Sequence, residues 1–242
     1  SLTLITGTFD AVSYNVTASI FNTENSNLRT LKMGSGTWTI SGSGSSWALS
    51  TTSNLNFYKG TANIVLSNTS TSARTFAGGG LSYNKLTIGG TTGTSTTTIS
   101  GSNQFTELAS TKTVAHTIAL ATTTQTFGAW TVTGTVGNVV TVTGTGTSHV
   151  IAGARVSGVD YLAMGSIGFA ATSPGEFYAG ANSTGTNATI IKTAAPAPVT
   201  RYWVGGSESW TPTFTGRWSA TSGGPTGASV PTSVDAVVFD SA

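Results

Sequence analysis

The chain has 242 residues, of which 7% are charged and 38% hydrophobic, with a formal net charge of +2 and no cysteine. It is long enough for one elongated domain, or one domain with a small appendage, and its apolar content excludes a disordered chain. The absence of any Lys/Arg cluster excludes an electrostatic footprint for nucleic acid. The absence of Cys excludes disulfides and thiolate metal sites, and no apolar run approaches the ~20 residues of a membrane-spanning helix.

In chain order, residues 2–5, 13–21, 28–33, 37–41, 55–58 and 63–66 each predict a strand: short, β-branched or aromatic, and bounded by Gly, Ser or Asn. Residues 107–121 offer the best place for a helix and fail the test. Val114, His116, Ile118 and Leu120 alternate with Ala115, Thr117 and Ala119, which is a period of two. Strands continue at 86–88, 96–100, 114–120, 130–135, 139–143, 149–152 and 159–164. Several neighbouring centres, such as Phe76 and Leu86 or Val132 and Val142, lie about ten residues apart. GTWTISG at 36–42 and GAWTVTG at 128–134 repeat one texture.

Many short strands at this spacing predict an all-β fold, either a parallel β-solenoid or an antiparallel β-sandwich. The solenoid is favoured. Gly/Ser/Asn corners recur without the Asn-Gly or Asp-Gly pairs of tight hairpins. Thr, Ser and Asn can ladder between stacked coils, and charges are rare where they would stack on themselves. No strict coil period emerges. Residues 1–192 are the expected solenoid body, 193–200 (with Ala-Ala-Pro-Ala-Pro) an extended linker, and 201–242 a Trp/Pro-rich terminal segment.

In that terminal segment Tyr202, Trp203 and Val204 start a strand, Gly205-Gly206 turn, and residues 236–239 form a second strand. The motif W-x-G-G-x-x-x-W, followed by V-P-T-x-x-D-x-V-x-F, resembles a segment that opens repeat units in large secreted β-solenoid surface proteins of bacteria and phages. The body is similar to pieces of such units over nearly its whole length. The resemblance implies export, a location at the cell or virion surface, a role in a fibre, surface filament or phage appendage, and no reaction. In those proteins the Trp/Pro segment precedes its coils; here it follows a set of coils, as in a unit cut out of phase or processed. The expectation is that the strand carrying Val234, Ala236, Val237, Val238 and Phe239 pairs with the edge supplied by Leu2, Leu4 and Phe9. Between copies this builds a head-to-tail filament; within one chain it makes a cap.

Chemistry-bearing residues are sparse. His116 alternates with apolar neighbours and reads as a core residue; His149 follows a Gly/Thr loop and reads as exposed. The eight carboxylates (Asp10, Glu24, Glu107, Asp160, Glu176, Glu208, Asp235 and Asp240) are scattered, without the facing pair that glycoside hydrolysis requires. No G-x-S-x-G elbow or phosphate loop occurs. The chain is read as non-catalytic and without a cofactor. Asp235 and Asp240 are the single candidate for Ca2+, against a strand-entry cap at Asp235. Gly78-Gly79-Gly80 and Gly89-Gly90 read as tight corners. Trp47, Tyr58, Tyr83, Tyr178 and Trp210 are candidate platforms for a cell-surface glycan, against a reading as core packing. Thr-x-Thr runs at Thr37/Thr39, Thr131/Thr133 and Thr141/Thr143/Thr145 suit an ordered-water face only at constant coil spacing. Their irregular placement favours ordinary solvent-facing positions. Four N-x-S/T sequons, at Asn15, Asn68, Asn182 and Asn187, are what chance supplies in so Thr/Ser-rich a chain.

Overall fold

The fold is given by a computed structural model that describes residues 1–144, 148–153, 155–165, 167–170, 177–185, 191–192, 198–206, 215–231 and 235–239. The chain divides into two compact units, Ser1–Ala195 and Pro196–Ala242.

The first unit is a parallel β-solenoid of about seven turns. Its first sheet stacks Leu2–Thr3, Phe21–Asn22, Gly44–Ala48, Arg74–Ala77, Thr96–Ser100, His116–Leu120, Val140–Thr143 and Leu162–Gly165. Its second stacks Val16–Ala18, Thr37–Ile40, Asn63–Leu66, Ser82–Ile88, Gln104–Ser110, Thr126–Thr131, Ser148–Ile151 and Gly168–Phe169. A third sheet, Gly7–Asp10, Arg29–Lys32 and Leu55–Tyr58, closes only the first three coils. From the fourth coil onward the chain passes straight from the first sheet to the second. Gly78-Gly79-Gly80 makes that short cut, with positive φ at Gly79 and Gly80; a Cβ on Gly79 would lie 2.3 Å from the Leu49 carbonyl oxygen.

All strand pairs named in the body are parallel, which rules out the sandwich. Two expected strands are redrawn. Residues 13–21 are two strands, Val16–Ala18 and Phe21–Asn22, on different sheets, because the chain turns a corner between them. The strand placed at 130–135 lies instead at Thr126–Thr131.

The inward side chains stack into an aromatic column. Phe21 and Trp47 are 4.5 Å apart, Trp47 and Phe76 stack at 5.5 Å, and Phe105 and Phe127 stack at 5.8 Å. In-register burial of this kind, at about 25 cal/mol per Å² of apolar surface, is the main source of stability. Trp38 and Trp130 occupy one column of the second sheet, through Ile64, Leu86 and Leu108, so the repeated GTWTISG and GAWTVTG are the same structural position.

Buried cations finish the corners. Arg29 is buried and donates to the carbonyls of Thr23, Asn27, Thr51 and Ser53 and to the Thr23 hydroxyl. Arg74 donates to the Leu66 and Asn68 carbonyls and to the hydroxyls of Ser95 and Thr97, and burial lowers its pKa to about 10. Lys112 donates to the Thr92 and Gly93 carbonyls; burial, then the neighbouring Arg74, lowers its pKa to about 8. These side chains donate to corner carbonyls in place of water; two of those carbonyls, on Thr23 and Leu66, also accept a backbone N–H.

In the second unit Thr200–Trp203 pairs antiparallel with Trp218–Ser219 and parallel with Ala236–Phe239. Trp203 and Trp218 meet edge to face at 5.1 Å and pin that small sheet.

Candidate assembly surface

All three sheets begin at the first coil, so Leu2–Thr3, Gly7–Asp10 and Val16–Ala18 are each the outer strand of their sheet. Leu2 and Leu4 donate their N–H groups to Ile20 and Asn22 of the second coil, and Gly7 and Ala11 donate theirs to Leu28 and Lys32. The alternation of a parallel ladder aims the groups of the intervening Thr3 and Thr8 the other way, along the solenoid axis. Between these strands lies an open basin of about 510 Å³ lined by Leu2, Phe9, Tyr14, Val16 and Ala18. Its floor is the core itself: Phe9 packs edge to face on Trp38 at 5.6 Å. Exposed large apolar residues crowd the same end, with Ile5, Val12 (60% exposed) and Tyr14 (74%) on the first coil and Leu28 on the second.

One corner of this end departs from the rest. Val12, Gly34 and Gly60 occupy the same corner of three successive coils, and all three have positive φ: 51°, 74° and 56°. A Cβ on Gly34 would lie 1.9 Å from the Val12 carbonyl oxygen, and one on Gly60 would lie 2.1 Å from that of Gly34. Glycine is therefore required wherever a coil lies beneath. Val12 carries a branched side chain at this position, in a backbone region that such residues rarely adopt. A further coil stacked with this corner geometry would drive its carbonyl into the Val12 Cβ. The Asp10 carboxylate accepts the Val12 N–H at 3.0 Å and pairs with Lys32 at 3.1 Å. Those two contacts hold its pKa below the usual carboxylate range.

The predicted assembly residues are thus partly brought together. Leu2 and Phe9 line the basin. Leu4 does not: it follows the strand Leu2–Thr3 and is buried in the core. Val16 and Ala18 complete the lining and were missed, since residues 13–21 were read as one strand without a corner. On the other predicted partner, Ala236, Val237, Val238 and Phe239 form a strand whose one edge is taken by Thr200–Trp203; Val238 is 40% exposed and Phe239 62%. Val234 lies outside the described residues.

The glycan candidates separate cleanly. Trp47 and Tyr83 are buried in the aromatic column, where Tyr83 donates its hydroxyl to the Gly78 carbonyl at 2.8 Å, so neither is a platform. Tyr178 is also buried, beneath the Arg155 guanidinium at 5.1 Å. Tyr58 is 58% exposed, and Trp210 lies outside the described residues. Beside Tyr58, Lys59 borders a cleft of about 200 Å³ lined by Ser82, Gln104, Thr106 and Thr126, below the last strand of the third sheet.

His116 is buried as expected, its Nδ1 2.8 Å from the Val114 carbonyl and its Nε2 2.8 Å from the Ser110 hydroxyl. His149 is not exposed, as the sequence suggested, but fully buried. It belongs to an inward polar column with Asn103 and Gln125: Asn103 donates to the Gln125 side-chain oxygen at 3.1 Å, and the Gln125 N–H donates to His149 Nδ1 at 3.1 Å.

The described carboxylates are engaged in the scaffold. Glu24 accepts the N–H and hydroxyl groups of both Ser50 and Thr51. Glu107 accepts from Lys85 at 2.9 Å and from Thr131 at 2.6 Å, and Asp160 accepts from Tyr161 and Asn182. Asp235 accepts the Val199 N–H at 3.0 Å, the strand-entry cap weighed against a Ca2+ ligand; Asp240 lies outside the described residues. Among the described residues, no three His, Cys, Asp or Glu side chains stand close enough to hold a metal ion. Comparison with protein-family models, with curated proteins and with solved structures returns no match.

Proposed function

We propose that the chain is a non-catalytic structural module of an extracellular fibre, surface filament or phage appendage, assembling head to tail by pairing of terminal β-strands. The observation that carries this reading is the first coil, where three sheet edges meet at one end around an open basin lined by Leu2, Phe9, Val16 and Ala18 together with Asp10, Asn15 and Thr17. Natural sheets blunt their edges with proline, charge or bulges. Here the charge at the rim, Asp10, is neutralised by its own Lys32, and the apolar part of the lining includes Leu2, Phe9 and Val16. Val12 narrows the choice of partner: a single strand can lie along one sheet edge, whereas a coil wrapping the Val12 corner meets its side chain. The occupant proposed is the strand Ala236–Phe239 of a second copy, whose Ala236 and Val238 are exposed and offer small apolar side chains to such an edge.

Light scattering tests this directly. The full chain is expected to form concentration-dependent assemblies, and a chain lacking residues 235–242 to stay monomeric. Phe9→Lys, which places an uncompensated charge in the basin and leaves the second unit intact, is expected to give monomers too. Assemblies of unchanged size from both variants would refute the reading.

A second reading, a carbohydrate-binding adhesin module, keeps one specific support: Tyr58 is exposed, and the adjacent Lys59 borders a cleft where Ser82, Gln104, Thr106 and Thr126 stand beside Tyr83 and Phe105. Tyr58→Ala is expected to abolish glycan-array binding without changing the melting temperature if that reading holds. An array blank for the unaltered chain would end it.

A further inference from the structure

The outer face of the first sheet carries a pattern that neither reading uses. Along the fourth to eighth coils its outward positions stack in register. One column runs Thr96, Thr117, Thr141, Ala163; the next runs Thr75, Thr98, Ala119, Thr143, Gly165; Ser100 stands beside Ala77 at the flank. The inward neighbours on these strands, such as Phe76, Ile99, Ile118, Val142 and Met164, are all buried. The outward positions are Thr, Ser, Ala or Gly without exception, with no charge and no ring. The second sheet differs: its corresponding face carries Lys85 and Glu107 side by side.

The geometry of such a face is fixed by the sheet. Parallel strands repeat at about 4.8 Å, and positions two apart along a strand at roughly 6.6 Å. Threonine is stiff at χ1, so its hydroxyl and methyl are held in a regular two-dimensional array and not as a mobile fringe. The Thr-x-Thr pairs looked irregular in the sequence because they sample two faces. Thr37/Thr39 and Thr131 lie on the second sheet, and Thr141/Thr143 on the first. On the first sheet alone the columns run coil after coil at constant strand spacing.

The chemistry eliminates the usual ligands. Protein interfaces concentrate aromatic, Met and Arg side chains at their centre, and none is present. Sugar rings stack on aromatic faces, and none is present. Phosphate needs cations, and none is present. An uncharged lattice of hydroxyls and methyls, with small residues at Ala119, Ala163 and Gly165, suits ordered water. The methyls favour a structured hydration layer, and the hydroxyls hydrogen-bond into it at fixed spacing. We infer that this face, centred on Thr96, Thr98, Thr117, Thr141 and Thr143, binds the surface of ice.

The test uses the full chain, fluorescently labelled, on a growing single crystal of ice, together with an ice-recrystallisation assay. The labelled protein is expected to be incorporated into ice and to slow grain growth. Thr117→Lys, which puts a charge at the centre of the array, and Thr141→Tyr, which sets a bulky ring in it without charge, are each expected to lose the effect while melting like the unaltered chain. Thr39→Lys, on the second sheet, is expected to retain it. Exclusion of the labelled chain from ice, or equal loss in Thr39→Lys and Thr117→Lys, would overturn the inference. So would binding to microcrystalline cellulose or chitin with no effect on ice, which would reassign the face to a polysaccharide surface.

Discussion

Replacing Gly34 by alanine is expected to destabilise the solenoid by about 3 kcal/mol or more, the sum of a backbone cost and a collision. Gly34 has φ of +74°, where an L-residue costs roughly 1–2 kcal/mol. The added Cβ would also meet the Val12 carbonyl oxygen at 1.9 Å and its carbon at 2.7 Å. Those are backbone atoms of another coil, held in a ladder, and cannot swing aside as the end of a side chain can. Gly60→Ala repeats the experiment one coil on, against the Gly34 oxygen at 2.1 Å. Gly137→Ala separates the two costs, because Gly137 has the same φ of +74° and a Cβ added there would meet nothing within 4 Å. It is expected to lose only about 1 kcal/mol. Val12→Gly relieves strain and adds chain entropy to the unfolded state, so its net change is expected to stay under about 1 kcal/mol. Urea midpoints at constant slope measure all four. If Gly34→Ala loses no more than Gly137→Ala, the coils are not in contact at that corner, and the steric argument about Val12 falls with them.

The sequence carried the all-β class and the solenoid because both rest on local signals: period-two alternation, Gly/Ser corners and scarce charge. It did not yield the coil period, for a reason visible in the register. Successive strands lie on different sheets, three in the first three coils and two thereafter, so the repeat appears at every third strand and then at every second. Lys85 reaches Glu107 across a step of 22 residues, while Glu24 reaches Ser50 across 26. The longer step passes through an extra strand, Arg29–Lys32 of the third sheet, which the later coils lack, so strand number and corner length both change along the chain and leave no constant period. The likeness of GTWTISG to GAWTVTG was the one place where the column showed through.

Side-chain direction was less legible. Trp47 lies on a strand where strict alternation fails: Ser46, Trp47 and Ala48 are all buried, and the register with Arg74–Ala77 shifts there. A platform and a core residue are then the same letter in the sequence. The basin was half legible. Leu2 and Phe9 follow from being apolar on edge strands, but Val16 and Ala18 needed the corner at Ser19-Ile20, which no glycine or proline marks. Burial of His149 depends on Asn103 and Gln125, 46 and 24 positions earlier in the chain, turning inward at the same corner. Only stacking brings the three together.

That column also sets the response to acid. As the pH falls from 6.5 to about 4, the chain is expected to lose up to about 3 kcal/mol of stability through His149. The unfolded chain takes up its imidazole proton near pH 6.5. In the folded chain burial lowers the pKa of His149 to about 4. There is a geometric reason as well. Nδ1 accepts the Gln125 N–H, so the proton sits on Nε2, and a second proton on Nδ1 would face a donor. Between the two values the unfolded state binds more protons, so stability is complete above pH 6.5, falls with falling pH, and levels off below about 4. His116 adds to the loss in the same direction, since burial also depresses it. The carboxylates of Asp10, Glu24, Glu107 and Asp160 are held below their ordinary range, so their contribution is lost at lower pH than that of the histidines. Urea midpoints measured from pH 7 down to 4.5 therefore read the histidines first. His149→Gln, which continues the amide column with a group that does not titrate, is expected to flatten most of that slope. A slope unchanged in His149→Gln, and still unchanged when His116→Gln is added, would mean that the acid sensitivity arises elsewhere and that the buried column stays neutral at no cost to the fold.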